Sequence, residues 1–327
     1  MIRSCMLHGK ELVTDPSLDD LRRGINEPDT IIWLDIHEEL ADDYYPLLQD
    51  DFKFHPLSIE HALKDTHVPK ADNWGDYIYI VLKCFDMSPG ISLPDDSHEL
   101  DLFLGNRYLV TYHTEPITGT DKLWKQIHQD PQILKRGPSR LLCRLMDTLI
   151  EDWIPCLEHL NEVVDRIEEQ IFNRPQDDLL EDIFAVKQQL LTFRRTLAPQ
   201  REVFYRLARG DDSIIPERDR VYFRDIYDHL ARIYDELEGF RDQLSNALDT
   251  YLSVMSNQMN DVMKTLTVIT TLFMPLGFLT GFFGMNFFHP TVVLEGWTGT
   301  VPFIITLACV ILIPVLLYSW VNRRFPN

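Results

Sequence analysis

YLSVMSNQMNDVMKTLTVITTLFMPLGFLTGFFGMNF, residues 251–287, is the stretch on which the fold turns. Its first third is polar, with apolar residues every three or four positions. From Leu266 to Gly284 it is almost pure hydrocarbon, set within 30 residues, Thr265 to Leu294, that carry no Asp, Glu, Lys or Arg. A helix needs about 20 apolar residues to cross a bilayer, and the core helices of soluble proteins are seldom apolar all round for that length. Residues 265–284 are therefore expected to span a membrane. A second apolar run, VPFIITLACVILIPVLLYSWV, fills residues 301–321. Together they read as a hairpin, with residues 285–300 as the outer loop and 322–327 as a short tail.

Basic residues orient such a hairpin. Lys264 precedes the first span and Arg323 and Arg324 follow the second, while the loop 285–300 has no Lys or Arg. Both termini are expected on the cytoplasmic side of the cell (inner) membrane. No signal peptide is evident in MIRSCMLHGKELV, where Lys10 and Glu11 cut short any apolar core. The five cysteines, Cys5, Cys84, Cys143, Cys156 and Cys309, are scattered and form no Cys-x-x-Cys pair, which suits a reducing compartment.

The formal charge of −20 is unevenly placed. The last 63 residues carry Glu295 against Arg323 and Arg324, a net +1, which leaves −21 on the first 264. So acidic a body keeps a cytoplasmic domain soluble and gathers cations near it, within a screening length of ~8 Å. It gives no footing for nucleic-acid binding. An enzyme is not expected either: the chain has no Walker-type glycine loop, no HExxH and no Gly-x-Ser-x-Gly, and His55, His61 and His67 recur every six residues, which puts neighbours on different helical faces.

Upstream, residues 1–138 alternate short strand-like and helix-like patterns. TIIWLDIH (30–37), DYIYIVLKCFDM (76–87), ELDLFLG (99–105) and RYLVTYH (107–113) are rich in β-branched and aromatic residues. The last two are separated by Gly105 and Asn106, a tight-hairpin pattern. Helices are expected from His55 and from Gly119. Residues 139–264 lose the strand signal: two amphipathic helices, 139–172 and 177–210, flank NRPQ, and a third starts near Pro216. Its apolar positions run from Phe223 through Leu244, Leu248 and Leu252 to Met259 in steps of three or four. With no proline before Pro275, a stalk helix is expected to continue into the first span, 68 residues to Phe283 and on the order of 100 Å long. A break near Gly239 is the alternative.

Two spans cannot enclose a water path, so transport would require several copies. The first span favours assembly, because its threonines and glycines allow close packing whereas the second is richer in Ile, Leu and Val. Steps of three and four trace one face through Asn260, Met263, Leu266 or Thr267, Thr270, Met274, Gly277, Gly281 and Gly284, ending beside Asn286. Turned toward a common axis, this stripe would make a narrow neutral conduit; otherwise its small residues only let helices approach.

Three blocks of this chain, YFRDIYDHL (222–230), HPLSIEHALKDTHVPKADNWGDYIYIVLK (55–83) and the stretch 251–287 with its Gly-Met-Asn, resemble the CorA divalent-cation transporters, and the resemblance covers essentially the whole chain. It implies a homopentameric funnel: an α/β cytoplasmic domain, a stalk helix running on into the pore helix, and an outer ring of second spans. It places the selectivity ring on Gly284, Met285 and Asn286. Pore-lining positions fall on Asn260, Met263, Leu266, Met274, Gly277 and Gly281, nearly the stripe that spacing traces, to which spacing adds Thr270. Mg²⁺ sheds its water reluctantly, so a ring of Asn286 carbonyls would accept hydrogen bonds from the ion's own water.

The resemblance further implies gating by intracellular Mg²⁺ bound between subunits. The matching block supplies Asp225, with Asp228 three residues on, and leaves Glu60, His61 and Asp65 as alternative partners; an ion pair with Arg224 or Arg220 is the other reading of Asp225. No cofactor is implied beyond transported and regulatory Mg²⁺. The loop FFHPTVVLEGWTGTVPF (287–303) departs from the family's Met-Pro-Glu-Leu. Glu295 is then the loop's only carboxylate and His289 its only imidazole. ZntB-like relatives also lack that motif and are associated with Zn²⁺, but Met285 is retained. The expectation is Mg²⁺ first, with Co²⁺ and Ni²⁺; the alternatives are a Zn²⁺ transporter and a membrane-tethered metal sensor that does not conduct.

Overall fold

A computed structural model describes residues 2–9, 11–38, 44–64, 68–85, 97–173, 178–210, 213–284 and 300–324. The chain divides into two units, Met1–Leu248 and Asp249–Asn327.

The first unit opens with strands β1 (Ile2–His8) and β2 (Glu11–Thr14), helix α1 (Leu18–Asn26) and strand β3 (Thr30–His37). Ser17 caps α1 by accepting from the Asp20 amide, with Asp19 and Asp20 in the first turn where the helix dipole favours negative charge. The short helix α2 (Tyr44–Pro46), a π-helical turn at Leu47–Asp51 and helix α3 (Pro56–Leu63) lead to β4 (Lys70–Asn73), β5 (Tyr77–Phe85), β6 (Ser97–Gly105) and β7 (Tyr108–His113). The seven strands form one sheet in the order β2-β1-β3-β7-β6-β5-β4, antiparallel except where β3 runs parallel to β7. Gly105 is needed at the β6–β7 corner, because a Cβ there would lie 2.3 Å from the Tyr108 ring.

Alternation along the strands gives the sheet two buried faces. One carries Ile32, Leu34, Ile36, Tyr79, Phe103 and Val110 against Leu21, Leu48, Phe54 and Ile59. The other meets a helix, where Trp33 lies 5.9 Å from Trp124 of α4 (Thr118–Gln129), and at the end of β5 Phe85 packs against Trp153 and Phe193. After α5 (Gln132–Lys135), three long helices follow: α6 (Pro138–Asn173), α7 (Leu179–Arg209) and α8 (Arg220–Gly284). Gly210 ends α7 in the left-handed conformation (φ 74°), where a Cβ would strike the Arg220 guanidinium. The helices are locked by apolar seams and by polar ties: the Arg194 side chain reaches Tyr234 Oη at 3.0 Å and Glu238 at 2.5 Å, and Arg140 stacks on Tyr222.

The second unit holds the rest of α8 and α9 (Thr300–Arg324). The strands expected at 30–37, 99–105 and 107–113 are present, that expected at 76–87 is present over Tyr77–Phe85 with residues 86 and 87 outside the described residues, and the helix runs unbroken through Gly239. Three strands, β1, β2 and β4, were not expected from sequence. The seam of α8 also differs from the expected one. Burial follows Leu244, Ala247 and Tyr251, while Leu248 is only half-buried and Leu252 is exposed. Alanine and tyrosine fill core positions there that a count of aliphatic residues passes over.

The sheet buries the ion pair of Lys83 Nζ with Glu99 Oε2 at 3.0 Å, the two side chains 6% and 3% exposed. Removing Lys83 leaves the Glu99 carboxylate in the interior without its ammonium partner, a loss of about 3–5 kcal/mol for such pairs, whereas removing both is nearly neutral. Lys83→Met should therefore lower the unfolding midpoint sharply and the double variant Lys83→Met/Glu99→Leu should recover most of the loss in thermal melts of the detergent-solubilised protein.

Candidate functional site

The stripe traced from sequence lies on α8 beyond the last buried residue of its seam. From Leu252 to Gly284 no described side chain of α8 is buried within the chain. Met263, Leu266, Met274 and Phe278 stand open, the last two 69% and 71% exposed. One side is partly covered, through Val268, Leu272, Pro275, Leu276 and Leu279. At 3.6 residues per turn, the face through Met263, Thr270, Met274, Gly277 and Gly281 lies about half a turn from that covered side. The side chains and glycines of the stripe thus share one fully uncovered face with no charged group on it. Met285 and Asn286 lie outside the described residues, as do Asp65, His289 and Glu295.

The threonines of this stretch of α8 are engaged with their own helix. Thr267 Oγ1 donates to the Met263 carbonyl at 2.7 Å and Thr270 Oγ1 to the Leu266 carbonyl at 2.8 Å; Thr265 and Thr271 do the same one turn back. Such bonding to the i−4 carbonyl removes the cost of a free hydroxyl donor in an apolar surround. Another apolar seam runs through Leu252, Met255, Met259, Val262, Leu266, Ile269 and Phe273 in alternating steps of three and four, none of it buried. That is the heptad pattern of helices that pack on one another.

The candidate regulatory residues occupy two separate places. Asp225 is 66% exposed on α8, and its Oδ1 lies 3.9 Å from His229 Nε2, not from Arg224 or Arg220. Glu60, on α3, is paired with Lys64 at 2.5 Å, whose hydrogen bond and charge hold the Glu60 carboxyl below its ordinary range. His61 Nδ1 is 3.4 Å from Lys70 Nζ. Among the described residues of one chain, no ion pair or hydrogen bond joins Glu60 or His61 to Asp225, and no group of three His, Cys, Asp or Glu could hold a metal. A closed cation site built on these residues needs a second copy.

Sequence reasoning missed Asp147 of α6. It is half-buried between Met146 and Thr148, and its carboxyl is held above the usual range, first by burial and then by the charges of Asp225 and Glu151, against the pull of Arg144 and His229. The neighbouring Cys143 thiol is pushed up by burial and by Asp147, and Asp219 and Asp225 add to that. A lone carboxylate inside the apolar run LLCRLMDTLI was the available signal.

Because the folded-state pKa of Asp147 is raised, its ionised form works against the fold above that pKa, and the cost disappears as pH falls through it. Asp147→Asn should therefore melt above wild type in metal-free buffer at neutral pH, with the gap closing on acidification. A variant that melts below wild type at every pH would remove the repulsion between Asp147 and Asp225.

Comparison with known proteins finds a family model and several relatives. A family model described as CorA-like Mg²⁺ transporter protein matches residues 28–323. The cobalt/magnesium transport protein CorA of Thermotoga maritima is 32% identical over 291 residues, 88% of this chain and 82% of its own. A zinc transport protein, ZntB of Pectobacterium carotovorum, is 24% identical over 71% of this chain and 70% of its own. The complete structure of the CorA magnesium transporter from Methanocaldococcus jannaschii superposes with a TM-score of 0.82 at 21% identity, covering 99% of this chain and 98% of that one, a likeness of fold.

Proposed function

The chain belongs to the CorA-like Mg²⁺ transporter family, and from that premise we propose that five copies gather around one axis with the Asn260–Gly284 face of α8 turned inward, passing Mg²⁺ across the cytoplasmic membrane. The observation that carries this reading is the uncharged, uncovered face set half a turn from the covered side of the same helix. A hydrated divalent cation meets no fixed charge there that would hold it, and the apolar levels of Met263 and Met274 can close the path by excluding water. The exposed seam from Leu252 to Phe273 supplies the helix-to-helix contacts between copies, since it is too apolar to be left in water. Lys264, Arg323 and Arg324, flanking the two apolar runs, support an orientation with both termini in the cytoplasm.

Selection falls to Gly284, Met285 and Asn286 at the outer mouth, where amide carbonyls accept hydrogen bonds from water that the ion keeps. Co²⁺ and Ni²⁺, similar in size and charge, are expected to follow. Regulation falls to Asp225, with Asp147 beside it, and to Glu60 or His61 of the adjoining copy. A cation there relieves the repulsion between Asp147 and Asp225 and holds the copies together, which shuts the conduit when internal Mg²⁺ is high. The loop that lacks Met-Pro-Glu-Leu and carries His289 favours Zn²⁺ as the second reading.

Proteoliposomes that hold the purified chain should take up Mg²⁺ ahead of Zn²⁺, and internal Mg²⁺ should slow the uptake in wild type but less so in Asp225→Asn. Asn286→Ala should cut the initial Mg²⁺ rate by about tenfold or more, as loss of one hydrogen bond from the ion's water shell implies. Undiminished flux in that variant refutes the filter. Zinc uptake without Mg²⁺ uptake favours the second reading, and a metal-dependent change of shape without any uptake makes the protein a sensor.

A further inference from the structure

We infer that Thr267 and Thr270 form a collar of hydrogen-bond acceptors inside the conduit, a resting place for the hydrated cation between the apolar levels of Met263 and Met274. The inference rests on the proposed inward orientation of this face and adds to it a specificity-determining pair.

A threonine hydroxyl has one proton to give and two lone pairs to offer. In Thr267 the proton goes to the Met263 carbonyl, and in Thr270 to the Leu266 carbonyl. Both side chains are exposed, so what they present outward is acceptor capacity alone. Water bound to a cation turns its oxygen to the metal and its protons outward. A wall that only accepts is complementary to that shell, and it offers no donor to an anion. A hydroxyl free to rotate would serve either sign.

Position along the helix adds to this. Met263 and Met274 are eleven residues apart, about 16 Å of helix axis. An unbroken apolar passage of that length would expel water and the ion's shell with it. Thr267 and Thr270 lie within this interval, three residues apart, where a shell that has left one apolar level can re-form its outer hydrogen bonds before the next. The same back-bond at Thr265, to the Asp261 carbonyl at 2.9 Å, lies on the opposite side of the helix and provides an internal control for chemistry without position.

The test uses full-length protein in liposomes loaded with a Mg²⁺-sensitive dye, and compares wild type with Thr267→Val/Thr270→Val, Thr267→Ser/Thr270→Ser, Thr270→Val alone and Thr265→Val. Valine keeps the shape and loses the oxygen. The double valine variant should slow initial uptake by about tenfold or more, with Thr270→Val alone intermediate, while the serine variant and Thr265→Val stay within about twofold of wild type. Elution volume in detergent and melting midpoint should be unchanged throughout; if the double variant fails to assemble, Thr270→Val against Thr265→Val decides. Valine variants as fast as wild type overturn the collar and leave the conduit standing. Equal slowing by Thr265→Val overturns it as well, since the threonines would then serve helix packing. A wild type that takes up no cation sinks the conduit and the collar together.

Discussion

The structure depends on what α8 does at Tyr251. Up to that residue its apolar seam, Phe223, Ile226, Leu230 and onward in strict steps of three and four, is buried within its own chain. One residue later the seam passes to Leu252, Met255 and Met259 on another face, and none of these is buried among the described residues. A shift of one residue turns a helical face by about 100°. A single rod therefore carries one seam that builds the first unit and a second seam that a lone chain cannot satisfy. The hydrophobic effect then requires either other copies or lipid along Leu252 to Phe282, and the separate faces of the helix assign different parts of that surface to each.

Polar groups on this rod follow the same economy. Hydroxyls at Thr265, Thr267, Thr270 and Thr271 bind carbonyls one turn back, so the helix keeps its oxygen-bearing side chains without an unsatisfied donor in an apolar surround. Charge is kept apart from the spans: −21 lies before Thr265 and +1 after Lys264. The acidic first unit attracts cations, while the exposed α8 face from Asn260 to Gly284 carries no fixed charge. The charge of Asp225 on α8 helps to hold the half-buried Asp147 carboxyl of α6 above its usual range.

Much of this was legible in the linear sequence because the signals are periodic and local. A charge-free run of the length of a bilayer, the basic residues beside it, and a seam unbroken by proline need no knowledge of tertiary contacts. The strands at Thr30–His37 and Tyr77–Phe85 announced themselves through consecutive β-branched and aromatic residues, and the Gly105 corner through its turn chemistry. By contrast β1, β2 and β4 are strands by virtue of their partners. IRSCMLH gains its extended form by pairing with β3 through seven residues, and KADN by pairing with the end of β5.

Sequence by itself determined the two apolar runs, the α/β-then-helical order and the stripe from Asn260 to Gly284, because each is a matter of composition or of spacing along one helix, while the candidacy of Asp225 came from the resemblance of its block to the family. Only the tertiary structure decided that the charge of Asp225 bears on Asp147 and that the buried seam of α8 ends at Tyr251. Those facts depend on which side chains the packing of distant segments brings together, and no periodicity along the chain encodes that.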